Sequence, residues 1–73
     1  MTRDEAILLA RRIAESESWA WRLPVSASPN RAFLLFGRLT WTVLSNSSSR
    51  GCNVLVVIDD RSGEVIRRAF LPR

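Results

Sequence analysis

The last third of the chain most narrows what it can fold into. Two apolar runs, Val54-Leu55-Val56-Val57-Ile58 and Val65-Ile66, flank Asp60-Arg61-Ser62-Gly63. Apolar, β-branched runs bounded by turn-forming residues predict a hairpin, here with strands over residues 52–59 and 64–71. Gly63 is the residue able to take the positive φ that closes such a turn. Consecutive apolar positions in the first of these strands predict cover on more than one side. The hairpin fixes an architecture and no reaction.

A helix is predicted to precede the strands. Thr2 and Glu5 have the spacing of a capping box, in which a hydroxyl and a carboxylate satisfy backbone N–H groups that a helix start leaves open. Ala6, Leu9, Ala10, Ile13 and Ala14 recur at three- and four-residue spacing and form one stripe, with Arg11, Arg12, Glu15 and Ser16 facing away. About four turns follow, ending near Ser18 or Trp19, with Leu8 opposite the stripe. Pro24 marks the end of this region.

The middle of the chain is richer in turn formers. A short edge strand is expected over residues 23–27, and Ser26-Ala27-Ser28-Pro29-Asn30 supplies turn residues. Residues 32–44 are aromatic and β-branched and read as strand, divided at Gly37-Arg38 by a bulge or a turn. Trp41 and Val43 should lie on its covered side, with Thr40 and Thr42 on the wetter one. The polar stretch Asn46-Ser47-Ser48-Ser49-Arg50-Gly51 is expected to be a flexible hairpin loop. In the last strand the parity places Val65, Ala69 and Leu71 with Arg67, and Ile66 and Phe70 with Arg68. The predicted fold is α+β: a single domain over residues 1–73, with one N-terminal helix on a three- to four-stranded antiparallel sheet.

At 73 residues and 8.3 kDa the chain leaves little room for an elaborate active site, since folding at this size buries about 60% of the unfolded surface. It lacks an apolar run long enough to span a bilayer, and acidic residues stand where a secretory signal would be basic, so a cytoplasmic location is expected. Cys52 is the sole cysteine, which excludes an internal disulfide and predicts a small buried hydrophobe within a strand. All eleven cationic residues are arginine, and the net charge of +4 sits on residues 23–73. Such a field favours acidic partners.

The order of helix, strand, Trp41-x-Val43 strand, polar loop, then Val57-Ile58-Asp59 and Ser62-Gly63-Glu64-Val65 resembles the small helix-on-sheet domains of the cystatin-like group. It is similar in particular to PepSY-type domains and to small immunity proteins of nuclear-transport-factor-like fold. The Gln-x-Val-x-Gly segment that cystatins insert into cysteine proteases is absent, and PepSY domains usually accompany exported proteins. The immunity proteins, which neutralise a toxin by binding it, fit best, and the resemblance implies a helix on an antiparallel sheet acting by occlusion.

The chemistry of the side chains points the same way. There is no histidine, the side chain best suited to proton transfer near neutral pH and the commonest metal ligand. The serines of the loop have no base beside them in the sequence. Asp59, Asp60 and Glu64 form a local carboxylate cluster, but carboxylates flanking a turn commonly bond its amides, and neither a metal nor a cofactor is expected. A non-enzymatic protein-binding module is therefore expected, an immunity protein or inhibitor that occludes a toxin. Its partner would present an acidic contact surface to Trp19, Trp21, Arg38, Arg50, Arg67 and Arg68, since tryptophan and arginine are enriched at interface anchors. At least two of Trp19, Trp21 and Trp41 should also serve the core. The alternatives are a nucleic-acid-binding module built on Arg38, Arg50, Arg67 and Arg68 with Phe70 as a stacking platform, and a homodimer formed at an open strand edge.

Overall fold

The helix starts where the capping box predicts. In the computed structural model, which describes residues 1–32 and 38–72, Glu5 N–H donates to the Thr2 hydroxyl at 3.2 Å and Thr2 N–H donates to Glu5 Oε1 at 3.0 Å. Helix α1 then runs over Arg3–Ser16. Its end comes slightly before the predicted Ser18 or Trp19, because Ser18 turns left-handed at φ 59°. Ser18 N–H donates to the Glu15 carbonyl at 3.2 Å and Trp19 N–H to the Ala14 carbonyl at 2.8 Å. This is the pair of bonds that closes a helix in the Schellman motif, here with serine at the position glycine usually fills.

Four strands follow: β1 (Ser26–Ala32), β2 (Arg38–Leu44), β3 (Asn53–Asp59) and β4 (Val65–Leu71). They form one antiparallel sheet in sequence order, so β1 and β4 are its edges. The predicted architecture holds, with four strands. The short strand expected over residues 23–27 instead begins at Ser26 and continues through Pro29 and Asn30, the stretch expected to turn. All seven residues of β1 pair with β2, and this tertiary pairing outweighs local turn propensity. Pro29 is tolerated because it sits on an edge. Gly37 lies outside the described residues, so the bulge or turn expected at Gly37-Arg38 does as well. In the final hairpin Gly63 takes the predicted positive φ, at 74°.

The sheet's covered face follows from its register. Val43 pairs with Val56 and Trp41 with Ile58, which aligns a ridge of branched side chains under the helix. Ala6, Ala10, Ile13 and Ala14 of α1 meet Val43, Val54, Val56 and Ile58 in one buried cluster. The helix lies over β1, β2 and β3. Trp19, Trp21 and Trp41 are half-buried and pack against this cluster, as do Val25, Val65 and Phe70.

A bulge corrects the predicted parity of β4. Val57 pairs with Arg67 but Ile58 pairs with Val65, so Ile66 is the extra residue. Val65 is thereby moved to the covered side, where Phe70 and Arg68 also lie, while Arg67 and Ala69 occupy the other side. Thr40, expected on the wetter side, is buried, and its hydroxyl donates to the Asn30 carbonyl at 3.2 Å.

Alanine lets the helix approach the sheet closely, and this dictates the response to a larger side chain. Ala10→Leu keeps helix propensity but adds volume where the alanine is fully buried. It is expected to destabilise the fold by about 1–3 kcal/mol in urea unfolding, whereas Arg12→Leu on the exposed side should change stability by less than about 0.5 kcal/mol.

Candidate interaction surface

The face of the sheet away from α1 carries Leu44 of β2, Leu55 and Val57 of β3, and Ala69 and Leu71 of β4, with Arg67 opposite Val57. Leu55 stands between Leu44 and Ala69, so the apolar side chains form a continuous band across three strands. They are half-buried or exposed, and among the described residues nothing covers them. Ser26, Ser28 and Asn30 of β1 continue the same face as a polar margin.

The two edges of the sheet differ. On β1, Pro29 has no N–H to offer a further strand. On β4 the bulge lies near the start, and residues 67–71 continue in regular pairing with β3. Arg67 points to the open face, whereas Arg68 lies on the helix side and pairs with Glu17 at 3.6 Å. The β4 edge therefore carries arginine on both sides of its backbone, the one on the helix side balanced by Glu17.

Two of the three carboxylates of the final hairpin, Asp59 and Asp60, are committed to structure. Asp59 Oδ2 accepts from Ser62 N–H at 3.0 Å and from the Ser62 hydroxyl at 2.7 Å. Asp60 Oδ1 accepts from Trp41 Nε1–H at 2.7 Å and faces the Met1 ammonium at 3.3 Å. The Trp41 hydrogen bond, aided by that ammonium and opposed by partial burial, holds the Asp60 carboxyl below its ordinary 3.8. The Thr2 backbone and hydroxyl likewise hold Glu5 below its ordinary value.

The serine-rich loop is braced rather than loose. Asn53, which is 4% exposed, donates through Nδ2 to the carbonyls of Ser45 at 2.8 Å, Asn46 at 2.9 Å and Ser49 at 3.3 Å. Its Oδ1 accepts from Gly51 N–H at 2.8 Å. The segment is the expected hairpin loop, joining the antiparallel strands β2 and β3, but it is held by these bonds to Asn53 rather than left loose. Cys52 is also corrected: it precedes β3, is half-buried, and has a left-handed φ of 53°.

Of the six residues proposed from sequence, the five whose side chains are described do not form one patch. Trp19 follows α1 and sits with its ring centroid 6.1 Å from that of Phe70, and Trp21 packs against the core nearby. Arg50 projects from the β2–β3 loop, Arg67 from the open face and Arg68 from the helix side. Arg38 begins β2, and its side chain lies outside the described residues. No protein-family model, curated protein or solved structure matches the chain.

The Asp60 contacts give a pH dependence of defined sign. A carboxyl whose folded pKa is depressed adds stability above its unfolded value and loses that stability as pH falls through the folded value. Asp60→Asn should lower stability at neutral pH and flatten the decline below about pH 4, so that variant and wild type converge in acid. Urea unfolding across pH checks this, and parallel curves for the two proteins would contradict it.

Proposed function

We propose that this chain is a non-enzymatic protein-binding module that occludes an acidic surface of a partner protein, in the manner of an immunity protein against a toxin. One observation carries the reading: the uncovered band of Leu44, Leu55, Val57, Ala69 and Leu71, set beside Arg67 and the open edge of β4. An apolar centre with an arginine beside it has the composition of a binding face. An extended acidic segment of the partner can add to β4 as a further strand, its backbone bonding the free edge and its carboxylates meeting Arg67.

The charge pattern supports this occupant over the two alternatives. Antiparallel pairing of β4 with a second copy would bring Arg67 and Arg68 of both edges together, a repulsive arrangement that disfavours a homodimer there. For nucleic acid, the expected stacking ring of Phe70 is engaged with Trp19 on the covered side, and Arg67 and Arg68 face opposite ways. The absence of histidine supports binding rather than proton-transfer chemistry. The likeness to small immunity proteins supplies the further suggestion that the partner is a toxin.

Affinity capture from the native cell with the tagged protein and its Arg67→Glu variant tests the reading. A stoichiometric protein partner is expected with the wild type, bound at least about tenfold more weakly by the variant, because reversing a charge at an interface leaves like charges opposed. Recovery of no stoichiometric protein, or of one that binds both forms equally, would refute it.

A further inference from the structure

The segment between α1 and β1 and the loop between β2 and β3 are fastened together. Asn46 N–H donates to the Arg22 carbonyl at 2.8 Å, and the Ser47 N–H and hydroxyl donate to the Pro24 carbonyl at 2.9 Å and 3.2 Å. They enclose an open cavity of about 440 Å³ lined by Arg22, Asn46, Ser49, Arg50, Gly51 and Cys52. Its shape is set before any ligand arrives. Asn46, Gly51 and Cys52 take left-handed φ values of 51°, 93° and 53°, and non-glycine residues hold such a conformation only where their surroundings impose it. The Asn53 bonds to Ser45, Asn46, Ser49 and Gly51 do so here, and Asn46 Nδ2 adds a bond to the Gly51 carbonyl at 3.2 Å.

The electrostatics of the cavity are one-sided. Its lining contains two arginines and no carboxylate. Among the described residues neither Arg22 nor Arg50 has an ion-pair partner, whereas Arg11 is paired with Glu15 and Arg68 with Glu17. We propose that this cavity binds a phosphorylated small molecule, with its phosphoryl oxygens held by Arg22 and Arg50. Each guanidinium offers a planar fork that matches phosphate oxygens in pairs, and two forks on one cavity suit a dianion better than a single carboxylate. The Ser49 hydroxyl is a further donor. The volume exceeds the need of a bare anion and falls in the range of small-ligand sites, about 300–1,000 Å³, which leaves room for the group that carries the phosphate. The site shares no residue with the open face or the edge of β4, so it stands or falls independently of the protein-binding reading.

Inorganic pyrophosphate, titrated at constant ionic strength and followed by amide NMR, is the direct probe. Saturable shifts confined to Arg22 and residues 46–52 are expected. Arg22→Ala and Arg50→Ala should each weaken binding about tenfold, the value of one charge-assisted contact, and the double variant about a hundredfold. Arg50→Lys should fall between wild type and alanine, and Arg12→Ala on the exposed side of α1 should bind as wild type. Since Cys52 is the sole thiol, its alkylation by iodoacetamide gives a second readout, slowed by pyrophosphate in the wild type and unaffected in the double variant. Shifts that never saturate, that spread over the arginines of the whole surface, or that survive in the double variant would overturn the proposal. Tighter binding of citrate than of pyrophosphate would overturn the phosphoryl assignment.

Discussion

The fold depends on one contact, the stripe of alanines on α1 seated against the valine ridge of β2 and β3. Ala6, Ala10 and Ala14 are fully buried, and they face Val43, Val54, Val56 and Ile58, which are fully buried too. Each branched side chain buried in this way contributes roughly 1.5–3 kcal/mol. The ion pairs that accompany it, Met1 with Asp60 and Arg68 with Glu17, are at least partly solvated, and such pairs contribute about 0–1 kcal/mol. Packing therefore holds the helix in place, and the polar contacts set its ends. Trp41 and Asp60 fix the start of the chain, and the Ser18 reversal brings Trp19 back onto Phe70.

A single helix in that seat divides the molecule into two unlike faces. One is closed by α1 and by the tryptophans. The other presents Leu55 and Val57 with their neighbours on β2 and β4, and among the described residues nothing shields it. Arginine is distributed to match. The register of β4 places Arg68 on the helix side, where it meets Glu17, and Arg67 on the open face. A domain of this size keeps its recognition chemistry on the outside, because its interior is filled by the contact that makes it fold.

The parts legible in the sequence were those with a short-range physical signature. The capping box of Thr2 and Glu5, the alanine stripe and the Ser62-Gly63 turn each depend on residues a few positions apart, and each appears as expected. What escaped depended on partners distant in the chain. Ser26 to Asn30 look like a turn in isolation, and only the pairing of β1 with β2 makes them a strand. The Ile66 bulge, which shifts Val65 to the covered face, arises from the register with β3 and has no marker of its own. The Arg22–Arg50 cavity joins residues about thirty positions apart, and the Asn53 bonds, although they reach only from Ser45 to Gly51, follow no periodic pattern that a sequence displays. Residue type singles out tryptophans and arginines as candidate contacts, but type alone does not say which face a side chain takes.

The division into a covered and an open sheet face is the premise of the whole account, and solvent paramagnetic relaxation of methyl resonances reads it directly. A soluble paramagnetic agent should broaden Leu44, Leu55, Val57 and Leu71 strongly and leave Val43, Val54, Val56 and Ile58 sharp. Equal protection of both sets, or the reverse pattern, would contradict it.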